Sequence, residues 1–256
     1  MLTVHVDAMT LVAASYVIRF LAWRWAFAGI CRRYLPDRVQ AAVPHIWDML
    51  GNLYIVGWLV HLMTHPDTSG YLHVWQLVPS EHFHQGSQRL GGLDAYLACE
   101  AAWYLAGMIN SILYRDHEMA SMFIHHSVAI ALIQACLAMN VTRIGVAVGP
   151  FLMFSNPLLH AAKALNRIGH PAKDPMFVLF AIVFFLTRVV AFPAVYLRIT
   201  LIDVGRSWML DGRASSIMMY TVNNAMLLCI YTIQLMWFSR IVGILQASAR
   251  RRLQSR

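Results

Sequence analysis

The chain has 256 residues, of which 59% are hydrophobic and 12% charged, and it carries a formal net charge of +8 with a mean hydropathy of +0.56. An ordinary soluble domain is roughly 25% charged, so this composition excludes a water-soluble globular enzyme and predicts an all-α, polytopic membrane bundle. There is room for about six to eight spans of roughly 20 residues, and none for a separate soluble domain.

Seven spans are predicted in chain order: Met9 to Ile30, Val43 to Thr64, Leu93 to Tyr114, Met119 to Met139, Ile144 to Leu165, Pro175 to Leu197 and Ile217 to Leu245. Helices rather than barrel strands follow because the apolar runs are continuous and lack period-two alternation. The first span carries Arg19 and Arg24 and is expected to tilt or to line other helices. No basic stretch precedes it, so it is expected to be retained rather than cleaved as a signal. The division that follows is an N-terminal helix with a basic loop (1–42), a six-span domain (43–249) and a basic tail (250–256). Span two holds Asp48 and ends in His61 and His65, span three holds Glu100, span four His125 and His126, and span six Arg188. Pro150 and Pro157 are expected to kink span five.

Loop charges set the orientation. Arg32, Arg33, Arg38, Arg115, Lys163, Arg167, Lys173 and the tail arginines Arg250, Arg251, Arg252 and Arg256 fall on one side, against Asp7, Asp67, Glu81 and a single Arg89 on the other. The positive-inside rule then places the C-terminus in the cytosol, although Arg198, Arg206 and Arg213 dissent. The basic face suits anionic headgroups rather than nucleic acid. Cys31, Cys99, Cys136 and Cys229 have no paired spacing and read as small buried hydrophobes.

His125 and His126 are the first functional candidates. A strongly charged residue at membrane depth costs about 2.5–3.5 kcal/mol and is usually kept for a pathway, a ligand or chemistry. A neutral imidazole is available there as base, nucleophile or ligand. Neighbouring residues lie about 100° apart on a helix, so a structural pair bridging two helices is the plain alternative. Metal chemistry is not expected: His61 and His65 form H-x-x-x-H, but Met122 stands where a further histidine is needed. A haem held through His160 has no supporting pattern, and Glu81-His82-Phe83-His84 reads as a solvated loop.

From span four onward the residues resemble the TLC-domain family, and among its members the ceramide synthases. Met122-Phe123-Ile124-His125-His126, preceded by Arg115-Asp116-His117-Glu118, looks like the family's double-histidine motif. Arg143-Ile144-Gly145, Ala161-Ala162-Lys163, Phe180 to Arg188 with Phe192-Pro193, Asn223 and Gln234-Leu235-Met236-Trp237-Phe238 follow in the family's order, over roughly Val43 to Arg252. The resemblance implies an endoplasmic-reticulum bundle around a lipid cavity. There an acyl chain passes from acyl-CoA, a co-substrate, to the amine of a sphingoid base, with His125 and His126 catalytic and no resident cofactor or metal. It implies membrane lipids as partners, with homo- or hetero-oligomers within the membrane.

The departures lie in span five. With Arg143-Ile144-Gly145 and Ala162-Lys163 as anchors, the family's His-Asp pair falls on Leu152 and Met153, its next aspartate on Asn156 and its glutamate on His160. Ser155 to His160 instead resembles TLC proteins outside the ceramide-synthase branch, which usually carry a glutamate where Met153 stands. Leu152, Asn156, His160 and Lys163 recur at helical spacing and are expected to form one stripe, in which Asn156 orients a histidine and His160 relays a proton. With Arg188 and Glu100, these residues make up the expected lipid-binding set; Lys163 either snorkels or meets a CoA phosphate. Two functions remain: an acyl-CoA-dependent N-acyltransferase with a rewired site, and a non-catalytic protein that binds lipid or a membrane partner in the same cavity.

Overall fold

A computed structural model describes residues 2–65, 92–114, 119–138, 142–197, 201 and 214–254. The motif Arg115 to Glu118, the loop holding Asp67, Glu81 to His84 and Arg89, the dissenting Arg198, Arg206 and Arg213, and Arg256 lie outside the described residues. The helices are α1 (Leu2–Tyr34), a single turn α2 (Asp37–Gln40), α3 (Val43–Thr64), α4 (Leu93–Tyr114), α5 (Met119–Ala138), α6 (Thr142–Met153), α7 (Asn156–Arg167), α8 (Lys173–Phe184) and α9 (Ala214–Gln254). Between α8 and α9 the chain continues from Phe185 to Leu197 as a wider π-helix. The all-α membrane bundle is therefore as expected: five of the described helical segments are long and apolar enough to cross a bilayer.

Two expected spans look different in three dimensions. α4 has the length of a span, yet it is the centre of the bundle rather than a lipid-facing helix. Tyr96, Leu97 and Cys99 are fully buried, together with Ala98, Ala101, Ala102 and Ala106, and α1, α3, α5 and α6 all pack on it. Small side chains on its surface let neighbouring backbones approach, which supplies the van der Waals contact that holds helices together in lipid. The main apolar core forms around it from Ile55, Leu59, Ile133, Val146, Phe192 and Ile230. A second cluster joins Phe180 and Phe184 of α8 to Ile241 of α9.

Expected span five is two 12-residue helices, α6 and α7, separated at Phe154 and Ser155. Proline has no N–H to give to the carbonyl four residues earlier and its ring crowds that carbonyl; here Pro157 does not continue the helix that ends at Met153 and instead opens the first turn of α7. Pro150 lies inside α6 without ending it. The break removes Leu152 from the helix that carries Asn156, His160 and Lys163, and the stripe expected across all four is split.

The end of α7 is closed by a different device. Gly169 adopts φ +69°, His170 N–H reaches Leu165 O at 2.9 Å, and Gly169 N–H reaches Asn166 O at 3.2 Å. This paired closure satisfies the last carbonyls and needs a residue without Cβ at the left-handed position. Pro171 follows, and the chain reverses tightly into α8, which packs beside α7.

α9 runs for 41 residues through Arg250 and Arg251 to Gln254. At 1.5 Å per residue it is about 60 Å long, roughly twice the thickness of a hydrocarbon core. Part of it therefore extends beyond the apolar layer.

At Gly51 the indole of Trp103 from α4 lies against α3. A Cβ there would come 1.9 Å from Cη2 of Trp103, whereas one at Gly57 meets nothing within 4 Å. Gly51→Ala must displace the indole, and overpacking of this kind costs about 1–3 kcal/mol. A lowered Tm for Gly51→Ala in detergent, with Gly57→Ala unchanged or raised, is the expected result of a thermal-melt comparison.

Candidate functional site

α5 delivers His125 and His126 to the interior from one helix turn. His125 is buried and His126 half-buried. Their ring centroids are 5.7 Å apart. Tyr104 of α4 lies between the two helices, 5.0 Å from the His126 ring and 6.3 Å from that of His125. Trp237 of α9 closes the other side, edge-on to His125 at 5.0 Å. Gly107 lets the His126 ring rest on α4, since a Cβ there would sit 3.3 Å from its Cε1. Both Nδ1 atoms are buried without a hydrogen-bond partner among the described residues. Neither Nδ1 therefore bridges two helices by a hydrogen bond.

The acid beside this pair comes from α4. Glu100 is buried and accepts a hydrogen bond from the Tyr104 hydroxyl at 3.0 Å. The residues are one turn apart on one face of the helix. The tyrosine therefore stands between a carboxylate and two imidazoles. The same hydroxyl lies 3.1 Å from Sδ of Met153, which is fully buried at the tip of α6.

Arg188 is the buried cation of the interior, with 4% of its surface exposed. Its guanidinium donates to Gln234 Oε1 at 2.8 Å, to the main-chain carbonyl of Leu152 and to Oδ1 of Asn156, and it lies 4.8 Å over the Phe184 ring. Each partner has a structural reason to be there. The Leu152 carbonyl is at the end of α6, where the break before Pro157 leaves carbonyls without helical donors. Asn156 opens α7, and Gln234 projects from α9. Arg188 lies within electrostatic reach of His125 and Tyr104, but its hydrogen bonds run to neutral groups rather than to Glu100.

The expected lipid-binding residues consequently divide. Glu100, Arg188 and Asn156 surround the interior of the bundle with the histidine pair, and Asn156 is held by Arg188 rather than turned to either imidazole. His160 points elsewhere. Its Nδ1 is 3.7 Å from Oδ2 of Asp48 and its ring is 6.5 Å from that of His45, in a second polar cluster on α3. Lys163, one turn further along α7, is exposed. Tyr104 is not among the residues expected from the sequence, in which Gln234 figures only as part of a motif. The i, i+4 spacing of Glu100 and Tyr104 was the available signal for the first; nothing local marks Gln234 as the partner of Arg188.

Replacing Arg188 with Met keeps an unbranched, flexible stem and removes every one of these hydrogen bonds. Each buried polar partner left unsatisfied costs about 1–3 kcal/mol, so Arg188→Met is expected to lower the Tm more than Asn156→Ala, which removes a single partner. A melt of the two variants against wild type checks the order.

Comparison with known proteins agrees with this architecture. The TLC domain profile matches residues 43–243. The chain is 28% identical to human ceramide synthase 5 over 172 residues, covering 66% of this chain and 42% of that protein. It is 29% identical to the tomato Alternaria stem canker resistance protein 1 over 136 residues, 52% and 44% of the respective lengths. Mouse ceramide synthase 4 is 35% identical over 101 residues, 36% and 25%. The chain thus spans less than half the length of these relatives. A profile covering most of the chain, on a helical membrane bundle with the double histidine at its centre, makes this protein a member of the TLC domain family, similar to the ceramide synthases.

Proposed function

We propose that this ceramide-synthase-like membrane protein transfers an acyl chain from a CoA thioester to the amine of a sphingoid base, in the endoplasmic-reticulum membrane. His125 and His126 act at the reacting atoms, and the Glu100–Tyr104 pair stands in for the acids missing from α6 and α7. The observation that carries the reading is the pair of buried imidazoles with unpartnered Nδ1 atoms against a tyrosine already hydrogen-bonded to a buried carboxylate.

In the reaction the amine nitrogen attacks the thioester carbonyl, a C–N bond forms, the C–S bond breaks, and CoA leaves as its thiol. One proton must travel from the amine to the sulfur, and an imidazole accepts and returns it. A group that orients the imidazole and offsets its positive charge matters greatly: loss of the aspartate in the serine-protease triad costs about 10⁴-fold in rate. Leu152 and Met153 cannot serve, because they are apolar and buried. Tyr104, polarised by Glu100, can do so from the other side of the pair. The guanidinium of Arg188, whose Nε has no partner, supplies positive charge for the developing oxyanion.

A second reading, lipid binding without chemistry, draws support from the same two apolar residues and from the engagement of Asn156 by Arg188. An N-acylation assay in membranes free of other ceramide synthases, run across acyl-CoA chain lengths, separates the two. The transferase reading expects activity in wild type that falls by about 10²–10⁴-fold when His125 and His126 are both changed to Ala. It also expects Glu100→Gln to lower kcat with little change in KM, the pattern of an interaction made in the transition state. A well-folded wild type that acylates no base, yet retains bound lipid, would sink the transferase reading and leave the binder.

A further inference from the structure

The second polar cluster belongs to neither reading of the histidine pair. His45 and Asp48 are one turn apart on α3, and His160 arrives from α7, more than 100 residues later in the chain. α3 and α7 pack closely along their lengths. One ligand-capable atom from each of the three side chains lies within 4.8 Å of the other two.

No hydrogen bond at Nδ1 accounts for the place of His160 in this cluster. Nδ1 of His160 is buried and without a hydrogen-bond partner. The nearest carboxylate oxygen, Oδ2 of Asp48, is 3.7 Å away, beyond hydrogen-bond range. The other oxygen of Asp48 is engaged, accepting from Arg24 of α1 at 2.8 Å. The carboxylate is thus held in place by one oxygen and presents the other to His160. Two ligand atoms about 2.0–2.2 Å from one ion at a tetrahedral angle lie about 3.3–3.5 Å apart. The 3.7 Å between Asp48 and His160 needs only a few tenths of an ångström of closure, whereas the set as a whole, whose atoms lie within 4.8 Å of one another, needs the imidazoles, with rings 6.5 Å apart, to rotate inward around the ion.

We propose that His45, Asp48 and His160 bind one divalent first-row transition ion, joining α3 to α7 and leaving a fourth coordination position open. Two imidazoles and one carboxylate make a nitrogen- and oxygen-donor set of the kind that holds Zn²⁺ or Fe²⁺ rather than the softer Cu⁺. Arg24 orients the ligating carboxylate from outside the shell, as hydrogen-bonded partners commonly do around metal sites. Arg24 and Lys163 add positive charge nearby and weaken the site electrostatically, while the three ligand residues are half-buried. The expectation from sequence was that no metal binds. His45 and His160 are not neighbours by any local spacing, so the sequence offers only His61 with His65, His160 as a haem ligand and Glu81-His82-Phe83-His84 as metal-binding patterns.

The test uses the 256-residue chain in detergent, stripped with a chelator and titrated with Co²⁺ as a spectroscopic probe and Zn²⁺ as competitor. The site predicts about one ion per chain, an intense visible d–d band of a low-coordinate Co²⁺, and its displacement by Zn²⁺. His45→Ala and His160→Ala should each weaken binding beyond the roughly 100-fold typical of losing an outer-shell partner, while His61→Ala titrates as wild type. His160→Gln provides a variant of closer volume, and elution as a single species shows that each protein is folded. If the His160 variants aggregate, X-ray absorption of the loaded wild type decides by its count of coordinated imidazoles, two supporting the site and none or one refuting it. Uptake by wild type no tighter than by the histidine variants, or loss of the signal in His61→Ala, overturns the proposal.

Discussion

A single buried guanidinium organises the interior of this bundle. Arg188 lies in the wide π-helical turn after α8 and reaches the end of α6, the start of α7 and the side of α9 at once. A charge in a low-dielectric interior is tolerable only where hydrogen bonds replace its lost hydration. The break between α6 and α7 supplies one of them, because Pro157 interrupts the ladder and leaves main-chain carbonyls to be satisfied from outside. The helix break and the buried arginine are therefore complementary. A straight, continuous span five would have kept its carbonyls for itself, and Arg188 would have lost part of its shell.

The same break decides which side chains face the histidine pair. Met153, at the tip of α6, turns inward to the Tyr104 hydroxyl, while α7 restarts in a new direction and carries His160 to α3. α6 and α7 contain no acidic residue. The remaining buried acid near the pair comes from the central helix α4, as Glu100 with Tyr104. Polar groups buried at this depth are costly unless satisfied; on α4 two i, i+4 contacts satisfy part of them, while the Tyr96 hydroxyl and Oδ1 of Asn110 are buried without a hydrogen-bond partner among the described residues. The hydroxyl of Tyr104 meets Glu100, and Asn110 donates to the Ala106 carbonyl at 2.9 Å.

α1 takes part in this polar architecture although it lies outside the matched TLC domain. It packs along α4, sends Arg24 to Asp48 of α3, and leaves Trp23 and Trp25 exposed on its outer surface. An arginine in an apolar helix is affordable when it finds a carboxylate partner inside the bundle. Arg24, Asp48 and His160 connect three helices that are distant in sequence, and this ties the N-terminal helix to the domain that follows it.

The all-α class, the membrane setting, the approximate limits of the helices and the position of His125 and His126 were legible in the sequence. Hydropathy and helical period are local properties, and a run such as Met119 to Ala138 has no other stable form in lipid. Pro157 was also visible, but its consequence was not, because a proline in a span can kink a helix or end it, and Pro150 in the same stretch does not interrupt its helix. Only the tertiary structure decided that Asn156 turns to Arg188, that His160 leaves the pair for Asp48 and His45, and that Tyr104 stands between Glu100 and the imidazoles. These outcomes depend on the direction in which α7 restarts after the break and on which helix faces pack against α4. Neither quantity is encoded in spacing along a single helix, since each is set by contacts between segments from about 20 to more than 100 residues apart, Tyr104 with His126 at one extreme and Asp48 with His160 at the other.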